Sequence, residues 1–188
     1  MDLQQFRADI SDWLDSNCPP SMRTRMVPGE DVAGGRKRRS TNPEAYVWLE
    51  RMAARGWTVP TWPQEYGGAG LTKEQFLVLL DELQRIQARP PLGGMGVSMI
   101  GPTLLEYGTE AQKREHLPAI ARGDVAWCQG YSEPGAGSDL AGLQSYAEGS
   151  RGSLCFKWSK DLDIGGESRR LDVLFSAHRS RCTQARRH

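Results

Sequence analysis

The chain has 188 residues, enough for one domain or for one domain and part of a second. Mean hydropathy of −0.56 is low for a globule, yet with 38% hydrophobic residues it stays above the range of disorder. A net charge of +1 gives no electrostatic reason for binding nucleic acid or anionic lipid. No apolar run can span a bilayer, and the first residues lack a basic segment followed by an apolar core, so a cytoplasmic protein without a secretory signal is expected. Cys18, Cys128, Cys155 and Cys182 form no CxxC pair and read as free thiols. His116, His178 and His188 are scattered, and no zinc-site spacing occurs.

Phe6, Ile10, Trp13 and Leu14 recur at helical spacing, and Cys18-Pro19-Pro20 ends that helix. Residues 21–40 read as an exposed loop. Its basic run Arg36-Lys37-Arg38-Arg39 has no interleaved aromatics, so a solvated loop is expected over a nucleic-acid contact. A second helix is predicted from Thr41, with Glu44 at capping-box spacing, a buried face of Tyr46, Leu49, Met52 and Ala53, and Gly56 at its end. Thr72 and Gln75 open a third, whose apolar stripe is Phe76, Leu79, Leu80, Leu83 and Ile86 and which Pro90-Pro91 stops. A glycine-rich fourth segment over 94–107 carries Met95, Met99, Leu104 and Leu105, with the methionines expected in the core. Thr109 and Gln112 open a fifth helix that Gly123 ends, so residues 1–123 read as all-helical. There is no internal repeat.

From Val125 the texture changes. Residues 126–132 read as a strand and 133–139 as a turn-rich loop, within the stretch Trp127-Cys128-Gln129-Gly130-Tyr131-Ser132-Glu133-Pro134-Gly135-Ala136-Gly137-Ser138-Asp139-Leu140. Gly135 and Gly137 remove Cβ bulk, so a planar or phosphorylated ligand can approach backbone N–H groups there. Ser132 and Ser138 add hydroxyls that donate or accept. On these residues alone a tight turn with Asp139 capping a short helix is an equally good reading.

The order of residues in this stretch resembles the signature of the acyl-CoA dehydrogenase family. Arg55-Gly56-Trp57 with Trp62-Pro63-Gln64-Glu65-Tyr66-Gly67-Gly68 resembles that family's loop between early helices. Tyr107-Gly108-Thr109-Glu110-Ala111-Gln112-Lys113 with Leu117-Pro118 resembles the helix leading into its β-domain. The resemblance covers residues 1–148. It implies a mainly α chain: an N-terminal helical domain over 1–123, the start of a middle β-domain over 124–148, and an aberrant, disordered basic tail over 149–188. It also implies FAD as cofactor, with Gln129, Tyr131 and Ser132 against the flavin pyrimidine ring. Gly137 and Ser138 would lie where the loop meets flavin and acyl-CoA, with Ser138 also on the substrate. Glu133 is not the family's base and reads as structural. The implied reaction is α,β-desaturation of an acyl-CoA thioester, in a homo-oligomer that passes electrons to an acceptor. The family's catalytic glutamate sits in a C-terminal helical domain, so no catalytic residue is assigned in this chain.

After Glu148 the resemblance stops. Residues 149–188 hold nine Lys/Arg and four Asp/Glu, against 15 and 19 in residues 1–148. A reading frame shifted by one base across Trp158 to Gly166 allows Gly-Gln-Lys-Ile-Trp-Thr-Ser-Gly, which resembles the family's second flavin-contacting segment. A frameshift near codon 149 is therefore expected, with a divergent tail as the alternative. The expectation for the chain as given is a member of the family without turnover. The alternative is a non-catalytic helical interaction domain or the product of a pseudogene.

Overall fold

A computed structural model describes residues 2–35, 40–127, 140–142, 144, 146–150 and 153–157. The chain divides into two compact units, Met1–Trp127 and Cys128–His188. The basic run 36–39 lies outside the described residues.

The first unit is helical, as the sequence indicates. Helix α1 (Leu3–Asn17) starts on Asp2, whose carboxylate accepts from the Gln4 amide, and ends where Pro19 and Pro20 cannot continue it. It buries Phe6, Ile10 and Leu14. Helix α3 (Lys73–Arg85) opens on Thr72 and α5 (Glu110–Ala121) on Thr109, each with the complete reciprocal capping box that the sequence predicts.

Helix α2 differs from expectation at its start. It spans Glu44–Ala54 and follows Pro43, with no side-chain cap. Thr41 does not cap it, because the Glu44 carboxylate is engaged elsewhere: it accepts from the hydroxyl and the amide of Ser21, and the Glu44 amide goes to Asn42 Oδ1. Its buried face is Ala45, Trp48, Leu49 and Met52, with Tyr46 half-buried and its hydroxyl accepting from the Ser40 amide. The residue that displaces Tyr46 is Trp48, fully buried, with its indole N–H donating to the Arg89 carbonyl.

Helix α3 is rotated from the predicted stripe. Val78, Leu79, Glu82 and Ile86 are buried, Phe76 and Leu83 are half-buried, and Leu80 is exposed. The cause is Glu82, which the α1–α3 contact takes inside. Arg7 Nη1 donates to it at 2.7 Å and Arg85 Nε at 2.6 Å, while Arg7 also reaches Asp81 and Arg85 reaches Ser11 and Asp15. Since Arg7 meets 81–82 and Arg85 meets 11 and 15, the two helices lie side by side in the same direction.

The fourth segment is a π-helical turn (Gly96–Ile100) running into α4 (Gly101–Tyr107). Met95 and Met99 are exposed rather than core, because the inward positions of this segment are taken by Gly96 and Gly101. Loop 21–40 is less open than its composition suggests: Met22 is 2% exposed, in a 3-10 turn over Pro20–Met22.

Two hydrophobic clusters result. One joins α1, α2 and α3 through Ile10, Leu14, Trp48, Met52, Trp57 and Leu79. Trp13 covers it, edge-on to Trp57 at 4.8 Å, with the Arg55 guanidinium 4.6 Å from the Trp57 ring. The other gathers Val59, Trp62, Tyr66, Leu117, Ile120 and Ala121, with Val97, Ile100, Leu104, Val125 and Trp127 packed on it.

In the second unit, β1 (Tyr146–Ser150) pairs antiparallel with β2 (Ser153–Lys157), Tyr146 opposite Lys157 and Ser150 opposite Ser153. Regular structure thus crosses Glu148, the end of the family resemblance. In the predicted strand over 126–132, residues 126–127 are without regular structure and 128–132 lie outside the described residues, as does the tail from 158.

Burial pushes the Glu82 carboxyl up, but the hydrogen bonds from Arg85 and Arg7 outweigh it and hold the group below its ordinary value. A depressed folded value adds stability that is present above the unfolded carboxyl value of about 4.3 and lost as pH falls through the folded one. Glu82→Gln should therefore cost about 1–2 kcal/mol in urea unfolding at pH 7, since both arginines are nearly half exposed and partly screened. The gap between the two proteins should stay constant from about pH 5.5 to 8 and narrow below about pH 4.

Candidate flavin and acyl-CoA site

The segment that delivers the glycine loop leaves α5 under tight local control. Gly123 donates to the Ile120 carbonyl and Asp124 to that of Ala119, while the Arg122 guanidinium holds the Asp124 carboxylate at 2.8 Å. Thr58 Oγ1 donates to the Ala121 carbonyl at 2.7 Å, fixing the helix end to the loop after α2. From there Val125 and Trp127 pack on the second cluster.

Trp127 meets the π-helical turn. A Cβ on Gly96 would stand 3.1 Å from both Trp127 Cδ1 and Ile120 Cγ2, so a side chain there would push the indole away. His116 on α5 stands edge-on to the Trp127 ring, 5.9 Å between centroids. The Trp127 Nε1–H is buried and has no acceptor among the described residues. A buried donor without an acceptor costs about 1–3 kcal/mol, so this one calls for a partner.

The turn itself is held by its glycines and hydroxyls. A Cβ on Gly101 would overlap the Trp62 ring, so α4 starts directly against that indole. Ser98 Oγ donates to the Gly94 carbonyl and Thr103 Oγ1 to that of Met99, both at 2.9 Å. Wide single turns of this kind occur where a helix must present side chains out of normal register. Here the side chains presented outward are Met95, 38% exposed, and Met99, 46% exposed. Flexible thioether side chains adapt to irregular apolar ligands.

Behind the turn, Tyr66 donates to Glu110 Oε2 at 2.8 Å. That hydrogen bond, with burial and the Glu110 charge, pushes the Tyr66 phenol up to about 12. The same bond, with Lys113 and Arg114 nearby, holds the Glu110 carboxyl low despite some burial. Both groups are locked in one protonation state at neutral pH and brace α5 rather than exchange protons. Among the described residues no cluster of three or more His, Cys, Asp or Glu could hold a metal. No helix of the described residues is long and apolar enough to cross a membrane.

The predicted site residues Gln129, Tyr131, Ser132, Gly137 and Ser138, with Glu133, lie outside the described residues. Just before them in sequence, the described residues end at Trp127, beside an apolar face, an indole N–H without an acceptor among the described residues, and a wide turn bearing two exposed methionines. The sequence reading did not single out Trp127 as a donor or His116 as its support. The signal available was spacing, since Gly93, Gly94, Gly96 and Gly101 crowd one short segment beside two methionines.

Residues 2–124 match the family model for the acyl-CoA dehydrogenase N-terminal domain. Acyl-CoA dehydrogenase IpdE1 of Mycobacterium tuberculosis is 37% identical over 147 residues, which are 78% of this chain and 37% of that protein. Acyl-CoA dehydrogenase FadE26 of the same organism is 34% identical, over 77% of this chain and 34% of its own length. The chain thus spans little more than a third of these curated relatives. Among solved structures, the steroid ACAD Tcur3481-Tcur3483 aligns with a TM-score of 0.53 at 33% identity, covering 83% of this chain and 39% of that one. The ChsE4-ChsE5 complex from Mycobacterium tuberculosis gives 0.51 at 31% identity, over 82% and 36%. With the family model matched over most of the described helices, the chain belongs to the acyl-CoA dehydrogenase family and carries its N-terminal helical domain.

Proposed function

We propose that residues 1–148 form the front of an FAD-dependent site for α,β-desaturation of an acyl-CoA thioester, and that the acyl group is bulky and polycyclic, of the steroid-derived class. The observation that carries the reading is the junction at Trp127. There the family's helical domain ends with Trp127 packed on a π-turn whose methionines are exposed, and the glycine-loop sequence follows in the chain. The substrate class is supported by the steroid ACAD to which this chain is similar and by the small inward residues Gly96 and Gly101, which leave the outward side chains of this segment to shape the ligand.

In this reading Gln129, Tyr131 and Ser132 hold the flavin pyrimidine ring, and Gly137 lets backbone N–H groups approach the cofactor and the thioester, with Ser138 donating to the substrate. FAD, when bound, supplies the acceptor for the β-hydride. Met95 and Met99 bear on the acyl group and keep water from it. Removal of the α-proton belongs to the family's glutamate, which by resemblance lies outside 1–148. The 188-residue chain therefore does not turn over alone, and a one-base shift after Glu148 accounts for its tail.

Two proteins decide this: the 188-residue chain, and the product of a gene with the frame restored after Glu148 and translation continued. The restored protein should be yellow and bleach anaerobically on addition of a steroid-type acyl-CoA. The shorter chain should reduce no electron acceptor. Acceptor reduction by the shorter chain, or a colourless restored protein, would sink the reading, and sequencing codons 145–190 checks the shift directly. In the restored protein, Gly137→Val should lower flavin occupancy by adding bulk where backbone approaches the cofactor. Met99→Lys should raise KM for the bulky thioester about tenfold, equivalent to about 1.4 kcal/mol, with kcat changed little.

A further inference from the structure

One stretch of the fold touches both the helical bundle and the segment before Trp127. Residues 29–35 cross from the α1–α3 bundle to the site. At the bundle end, the Gly29 carbonyl accepts from the Thr41 amide, and the Glu30 carboxylate pairs with the buried guanidinium of Arg89. In the middle, the Val32 carbonyl accepts from the Gly93 amide at 2.8 Å, and a Cβ on Gly94 would stand 3.2 Å from Ala33 Cβ, so this stretch borders the start of the π-turn. At the far end, the Gly35 amide donates to the Gly123 carbonyl at 3.0 Å.

Gly34 makes the closest approach. Its φ is +87°, and a Cβ there would stand 2.5 Å from the Val125 carbonyl oxygen. Gly35 follows at φ +104°, where a Cβ would meet Ala126 Cβ at 3.1 Å. Two successive left-handed residues are thus set against the two residues before Trp127. A side chain at Gly34 would require backbone, not a flexible side-chain end, to move. Gly29 is the internal contrast: its φ is +84°, but nothing lies within 4 Å of its Cβ position. The left-handed geometry at Gly29 serves only the turn, whereas at Gly34 it serves contact with Val125.

We propose that residues 29–35 are a positioning strap, with Gly34 as its key residue, that holds the 125–127 segment in register with the π-turn and so sets the geometry from which the flavin loop rises. This rests on the function proposed above, but the strap itself can be tested without flavin. Because one rigid stretch bonds to Gly93 and to Gly123, disturbing it at Gly34 must loosen both segments together, though they are far apart in sequence.

The test is hydrogen exchange by mass spectrometry on the full 188-residue chain, comparing Gly34→Ala with Gly29→Ala. Both substitutions place a Cβ at a left-handed position; only one meets the 125–127 segment. Gly34→Ala should speed exchange about tenfold or more in 93–100 and in 123–127, where the Gly93, Ser98 and Asp124 amides are bonded, and leave α1 and α3 at the wild-type rate. Gly29→Ala should leave both segments unchanged. If Gly34→Ala does not fold, Gly35→Ala is the milder variant and should show the same paired pattern at smaller amplitude. Faster exchange in 123–127 alone, equal effects from Gly29→Ala, or loosening of α1 and α3 would overturn the strap. In the frame-restored protein, Gly34→Ala should release flavin several-fold faster than Gly29→Ala, and equal retention would overturn its positioning role. A wild-type protein that binds no flavin would fell the functional reading while leaving the exchange result to stand or fall by itself.

Discussion

A buried guanidinium must have its donors matched, and in this fold that requirement falls on Arg89, 5% exposed. Its Nε donates to the Thr24 carbonyl, one Nη to Thr24 Oγ1 at 2.6 Å, and the other to the Glu30 carboxylate. Its backbone is spent as well, the amide on the Met22 carbonyl and the carbonyl on the Trp48 indole. A single residue beyond α3 therefore ties loop 21–35 to the centre of the helical bundle, since Arg89 lies in the segment that follows Arg85. Removing any partner would leave a charge or a donor stranded in the interior, so the loop is held to one path. The position of the strap over the site depends on that path.

The two ends of the unit are built by different physics. The α1–α3 side is sealed by large side chains and a carboxylate clasp, with Ile10, Leu14, Trp48, Met52 and Leu79 at 1% exposure or less. The site side is shaped by absence of side chains. Gly96 and Gly101 admit the Trp127 and Trp62 rings to the backbone, and over the buried Leu117 and Ile120 the outer layer of Val97, Ile100, Leu104, Val125 and Trp127 is only partly buried. Close backbone–indole approach gives shape at little cost in mass, but it leaves fewer contacts to resist opening.

Helix existence was legible because its signals are local. The Thr72–Gln75 and Thr109–Gln112 boxes lie within one turn, and the structure forms both. The Thr41–Glu44 pair has the same spacing and failed, since Ser21, 23 residues away, takes the Glu44 carboxylate. The face of α3 was misread for a like reason. Nothing within α3 marks Glu82 as an inward residue; Arg7, 75 residues away, does. Met95 and Met99 read as core by composition, and only the packing of Gly96 and Gly101 against indoles shows why they point out.

The site assignment rests on another kind of signal. The order of residues from Trp127 to Leu140 resembles the family signature, and periodicity carries none of it. What the structure adds is the ground on which that signature stands. A glycine loop can approach a cofactor only if its root is fixed, because backbone freedom gained at the glycines is lost again as poor alignment. The root here is fixed three times: by Thr58 on the end of α5, by the His116 and Gly96 contacts to the Trp127 ring, and by the Gly35 amide on Gly123. Apart from Trp127 itself, none of these uses a residue of the signature. In the function proposed here, the path of the chain into the motif is set largely by side chains and backbone outside it, so a chain that keeps every signature residue should still lose that path through one change at position 34.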